Sequence, residues 1–128
     1  MIFGDASFFI AVANREDRWH REARRLAQTI REPIVVSDLV VAEAVTQIGS
    51  RVGVREGMKL FHYFEDDCEI RFVEAKLLDA ALQRWMTFGG KLSVSDAASL
   101  EIMSREGLPE ILSFDSDFDG IDGVARRR

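Results

Sequence analysis

Four kinds of residue or run are scarce in this chain, and each scarcity closes off a class of protein. The single cysteine, Cys68, allows no internal disulfide and no cysteine-rich zinc site, so a reducing, cytoplasmic setting is expected. Two histidines, His20 and His62, are too few and too isolated for a histidine-based metal cage. Two prolines and nine glycines punctuate 128 residues, with no repeat, low-complexity run or linker, so one domain over 1–128 is expected. No stretch approaches the roughly 20 apolar residues of a membrane span, and the N-terminal residues do not read as a signal peptide.

Basic residues are also in deficit. Seventeen Lys and Arg stand against 22 Asp and Glu, a net charge of −5. A passive nucleic-acid binder is normally basic. That exclusion weakens if some of the acidity is gathered in a pocket for divalent cations, which reverse the local sign.

What is present is an ordinary globular composition, 47% hydrophobic and 30% charged, in which strands and helices alternate. Ile2-Phe3-Gly4 reads as a short strand running into Asp5, followed by a helical segment, Phe8 to Ala13. Residues 17–31 carry Trp19, Ala23, Leu26, Ala27 and Ile30 at helical spacing, and Pro33 ends the pattern. The β-branched run Ile34-Val35-Val36 is a buried strand, and Ser37 caps a helix from Asp38 to about Arg51. Gly53 separates it from a helix over 54–66, in which Met58, Phe61 and Phe64 or Tyr63 are expected to face inward. A strand over 70–73, a helix over 76–88 ended by Gly89-Gly90, a helix over 96–105 capped by Ser95, and a strand over 111–114 complete the series. This alternation predicts an α/β fold, a parallel sheet with helices on both faces.

The informative acids follow from that layout. Asp5 and the strand-ending Asp115 lie at carboxyl ends of parallel strands, the rim where such sheets bind ligands. Asp96 opens a helix after a loop returning to that rim, and Glu43 lies in the second turn of the helix after strand 34–36. Clustered carboxylates repel and raise one another's pKa, so the arrangement makes sense mainly as a site for hard cations such as Mg²⁺. Such ions can activate water and clamp a phosphodiester without any His or Lys.

Each acid also has a plainer reading. An Asp at a helix start is favoured by the helix dipole alone, which covers Asp96. Glu43 lies opposite the Val41-Val45-Ile48 stripe and reads equally as a solvated side chain. Glu74 belongs to the turn before the helix at Lys76. Asp115-Ser116-Asp117-Phe118-Asp119-Gly120 matches the opening of a calcium loop, but its twelfth position is Arg126, where a bidentate Glu is required. Trp19 and Trp85 read as core residues, and Arg126 to Arg128 as a frayed basic tail.

Four segments, taken together, resemble the acidic motifs of PIN-domain ribonucleases, and specifically the VapC toxins of toxin–antitoxin pairs. They are Asp5-Ala6-Ser7, Val36 to Glu43, Leu92 to Ala97, and Ser113 to Phe118. The resemblance covers the whole chain in order. It implies a three-layer α/β/α fold and a quartet of Asp5, Glu43, Asp96 and Asp115, with Asp5, Asp96, Asp115 and a further acid, Asp117, as metal ligands. Ser7 and Ser113 match the hydroxyl positions flanking the quartet. It also implies a Mg²⁺- or Mn²⁺-dependent endoribonuclease, a homodimer, and an antitoxin whose C-terminal segment packs into a groove. Ser113 stands where Thr is common and Gly4 where an aliphatic residue is usual; neither change removes a ligand. A PIN-like module without activity is the alternative. A signalling receiver domain and an aspartate-nucleophile phosphatase fit less well. The first needs a phosphoacceptor Asp on a middle strand and a late Lys, and the second an Asp where Ser7 stands.

Overall fold

A computed structural model of the chain describes residues 1–128. Its elements are β1 (Ile2–Gly4), α1 (Ala6–Ala13), α2 (His20–Ala27), β2 (Ile34–Ser37), α3 (Asp38–Arg51) and α4 (Val54–Asp67). They continue with β3 (Cys68–Arg71), α5 (Ala75–Thr87), α6 (Val94–Glu106), β4 (Glu110–Leu112), a 3₁₀ turn (Ser116–Phe118) and β5 (Ala125–Arg127). Five parallel strands lie in the order β3-β2-β1-β4-β5, sandwiched between helical layers in an α/β/α arrangement. The direction of winding reverses between β1 and β4, so the crevice beyond their carboxyl ends is the topological switch point.

Burial explains the strand sequences. Ile2, Phe3, Val35, Val36, Ile111 and Leu112 are fully buried, as central parallel strands covered on both faces require. Gly4 is smaller than its neighbours for a local reason: a Cβ there would come within 2.6 Å of the Phe9 ring, which packs edge-on against Phe64. Helix α3 packs against α1 and α4, and α5 against α6. Trp85 lies beside the small buried cluster Ala81, Ala97 and Ala98 between α5 and α6, in keeping with a core role.

Several boundaries differ from the sequence expectation. Strand β3 begins two residues early, because Cys68 and Glu69 pair with Ile34 and Val35, and the Val73 N–H is taken by the Asp38 carboxylate instead of a strand. Helix α2 is shorter than 17–31, and Trp19 lies just outside it. Residues 14–19 form a turn held by Asn14 and Asp17 side chains, which compete with helical hydrogen bonds. Helix α6 starts earlier, at Val94, with Ser93 as its cap in a capping box with Asp96. Met58 and Tyr63 are exposed, while Leu60 and Phe64 fill the inward positions of α4. The basic tail is not frayed: Ala125–Arg127 pair with β4 as an edge strand.

Candidate metal centre

Asp5 is the most deeply placed acid, only 5% exposed. Its N–H donates to the Leu112 carbonyl at 3.0 Å, extending the β1–β4 ladder one residue past the strand. It occupies the N-cap position of α1, yet its side chain makes no capping bond. Instead Oδ2 accepts hydrogen bonds from Ser7 Oγ at 2.7 Å and Ser113 Oγ at 2.8 Å. Each serine oxygen in turn accepts a backbone N–H, Phe114 to Ser7 and Asp115 to Ser113, both at 3.0 Å. A hydroxyl has one proton to give, and the two serine oxygens also lie 3.2 Å apart, so either can give its proton to the other in place of Oδ2. No side chain donates to Oδ1, and the Ser7 backbone N–H also acts on this carboxylate.

The other three acids of the quartet surround this point electrostatically. Burial pushes the Asp5 carboxyl above its ordinary pKa; the two serines pull it back, and Asp115 pushes it up again. Glu43 is raised by partial burial and then by Asp5 and Asp115. Asp96 is pushed up to about 7, first by burial and then by Asp5, with a smaller push from Asp115. Asp115 is thus felt by all three. No Lys or Arg appears among the groups acting on Asp5, Glu43 or Asp96. Asp117 is exposed on the 3₁₀ turn; its N–H donates to Asp115 Oδ1 at 2.9 Å, so its backbone orients Asp115.

The donor set is all hard oxygen, partly desolvated and mutually repelling, with Arg126 acting on Asp115 as its one cationic neighbour, which suits a divalent cation of the Mg²⁺ class. No three of the side chains stand at finished ligand spacing. The plainer readings are partly realised as well. Asp96 does serve in a helix cap, its Oδ2 accepting the Ser93 N–H at a long 3.4 Å. The calcium-loop reading has no support: Asp119 is bound by Arg126 at 2.8 Å, and Arg126 also reaches the Ser113 carbonyl. Glu74 is the N-cap residue of α5 and is not among the groups acting on Asp5, Glu43 or Asp96. Neither histidine joins the acids, since His20 bonds the Ala11 carbonyl and His62 pairs with Glu65.

The sequence reading passed over one feature beside the rim. Trp19 stacks in parallel on Phe114, with ring centroids 5.4 Å apart, and the Arg18 guanidinium lies 4.7 Å from the Trp19 ring. The available signal was Phe114 itself, an aromatic residue between Ser113 and Asp115.

Comparison with known proteins agrees with this geometry. The chain is 29% identical over 130 residues to the 23S rRNA-specific endonuclease VapC20 of Mycobacterium tuberculosis, covering 99% of this chain and 98% of that protein. The crystal structure of VapC20, described as a Sarcin-Ricin loop cleaving toxin, superposes with a TM-score of 0.83 at 26% identity over 91% and 92% of the two chains. A toxin–antitoxin complex from Klebsiella pneumoniae shares the fold, with a TM-score of 0.73 at 17% identity over 98% and 96%. A family model described as the PIN domain matches residues 2–124, from the first residue of β1 to the residue before β5. A switch-point crevice lined by carboxylates, within a match of that extent, leaves no room for the receiver or phosphatase alternatives: the chain belongs to the PIN-domain family.

Proposed function

We propose that the chain is a divalent-metal-dependent endoribonuclease, the toxin of a toxin–antitoxin pair. The observation that carries this reading is the mutual repulsion of Asp5, Glu43, Asp96 and Asp115, of which only Asp115 is acted on by a cation of the chain, Arg126. Asp5 Oδ1, Asp96 and Asp115 would hold Mg²⁺ or Mn²⁺, with Asp117 as a further ligand. Glu43, on the first turns of α3, would hold the ion or orient a water. The ion supplies Lewis-acid stabilisation of phosphate charge and lowers the pKa of water. The chain's own residues do the rest: Ser7 and Ser113 fix the Asp5 carboxylate, and the capping box fixes the start of α6 beneath Asp96. Hydrogen bonds made to a ligand from behind, as these are, set its orientation in metal sites.

Two surfaces support the partner assignments. An apolar groove of about 320 Å³ between α1, α2 and α4, lined by Phe8, Phe9, Val12, Ile30, Leu60 and Tyr63, suits a segment of the antitoxin. The stripe Leu78, Leu82 and Met86 on α5, exposed at i, i+4 spacing, suits a second copy of the chain. No helix is long and apolar enough to cross a membrane.

The test is Mg²⁺ titration of the partner-free protein against mixed RNA and a sarcin–ricin stem-loop, with EDTA and Asp96→Ala as controls. Cleavage lost in both controls is the expected result. Absence of both cleavage and Mg²⁺ binding would leave a PIN-fold interaction module and overturn the assignment.

A further inference from the structure

The chain is acidic overall, yet residues 14–25 carry five arginines against three acids. Arg15, Arg18, Arg21, Arg24 and Arg25 form no salt bridge, whereas Arg71, Arg84, Arg105, Arg126 and Arg127 are all paired. Arg18 lies over the Trp19 ring of the Trp19–Phe114 stack, Arg15 and Arg21 line a shallow pocket with Arg18, and Phe114 lies between Ser113, which holds Asp5, and Asp115. Phe114 is tied to the rim directly, its N–H donating to Ser7 Oγ.

The platform is built rather than incidental. The Trp19 N–H donates to Asp17 Oδ1 at 2.8 Å, the Trp19 carbonyl accepts the Ala23 N–H at 2.8 Å, and the neighbouring His20 ring bonds the Ala11 carbonyl at 2.7 Å. These bonds and the Phe114 stack fix the indole. Arg18, by contrast, is exposed and makes no hydrogen bond or ion pair, so its contact with the indole is the weak, displaceable kind.

The geometry points to the Arg18–Trp19–Phe114 ladder as a base-stacking site for an unpaired RNA nucleotide adjacent to the phosphate held at the acidic rim. A base enters between the Trp19 indole and the Arg18 guanidinium, which then covers its outer face, while the neighbouring arginines take backbone phosphates. Every base has a π-face, so the site selects for an unstacked, single-stranded nucleotide more than for one base identity. A paired helix cannot present a base in this way. The inference rests on the nuclease reading for its substrate and deepens it by naming an extruded base as the recognised element.

The experiment uses the full chain in a Trp85→Phe background, which leaves Trp19 as the sole indole, with Ca²⁺ in place of Mg²⁺. Poly(A) should quench Trp19 emission, and abasic ribose-phosphate of equal charge should not. Trp19→Ala should weaken poly(A) binding about tenfold or more, Trp19→Phe should restore most of it, and Arg18→Ala should give a smaller loss. Equal quenching by the abasic polymer, unchanged affinity of Trp19→Ala in a folded protein, or no binding of poly(A) would each overturn the site. Base-dependent quenching without cleavage in any divalent metal would keep the platform and remove the nuclease. Cleavage without quenching would do the reverse.

Discussion

The two sides of this sheet use the same residue types in opposite ways. At the β5 edge, Arg127 bridges Glu32 and Glu110, and Arg126 bonds Asp119 through two nitrogens, so the carboxyls of Glu32 and Asp119 are held below their ordinary range. At the switch-point rim, Asp5, Glu43 and Asp96 are all held above it. The chain has cations to spare, as the unpaired arginines at residues 15–25 show, yet of the rim acids only Asp115 is acted on by one, Arg126, which is itself bound to Asp119. A surface shaped only for stability would not leave its most buried carboxylate unneutralised. The difference separates charge that closes the fold from charge reserved for an external ion.

The strongest way to break the contrast is to supply the missing cation. Glu43→Lys is expected to abolish cleavage, a loss of more than a hundredfold. It should also raise the thermal midpoint in EDTA and make it insensitive to Mg²⁺, as followed by calorimetry with and without metal. Asp5→Asn should likewise cost several kcal/mol of transition-state stabilisation, more than about a hundredfold in kcat/KM, while preserving the fold. Cleavage at the parent rate by Asp5→Asn would remove Asp5 from the machinery.

Ser113→Ala should have an intermediate effect. It frees one hydrogen bond on Asp5 Oδ2 and the Asp115 N–H, and a loss of about 10–100-fold in metal affinity or activity is expected. Isothermal titration with Mg²⁺ separates the two.

The pH response sharpens the same comparison, because the two regions carry opposite signs. Asp96, raised from 3.8 to about 7, binds protons in the folded state that the unfolded chain has released. The metal-free protein therefore loses stability as pH rises through that window and levels off above it, and Asp5 and Glu43 act in the same direction. Glu32 and Asp119, with lowered values, contribute stability above their ordinary pKa that is lost as pH falls through the folded one. Urea unfolding in EDTA should show the first slope, and added Mg²⁺ should flatten it by binding the deprotonated rim. Arg127→Ala should have the smallest effect: a slight drop in the thermal midpoint, a shallower acid-side loss and unchanged cleavage.

Much of this was legible from sequence because it rests on short-range rules. The β-branched run Ile34-Val35-Val36 and Asp5 directly after β1 follow from period and burial alone; Asp115, expected to end a strand over 111–114, instead stands three residues past β4 (Glu110–Leu112), as the N-cap of the 3₁₀ turn. What was hidden depends on partners distant in sequence. Ala125–Arg127 has no strand signature of its own and becomes β5 only because the β4 edge is there to pair with. Trp19 fits a helical stripe by spacing, but Asn14 and Asp17 divert the backbone, and its partner Phe114 lies on the far side of the sequence. Ser93 rather than Ser95 caps α6 because only Ser93 stands three residues before Asp96, the spacing a capping box requires.

The position of β1 has a temporal consequence. It precedes the other four strands of the sheet in sequence but is central among them, and its neighbour β4 follows only after β2 and β3; the Ser113–Asp5 bond spans 108 residues. Contacts of such separation form late and slowly. A nascent chain that has emerged as far as Gly107 already contains Asp5, Glu43 and Asp96, but has neither Ser113 to seat the first nor Asp115 to face the others. The rim is therefore assembled only once β4 has docked on β1, and a fragment that stops short of Ser113 cannot form it.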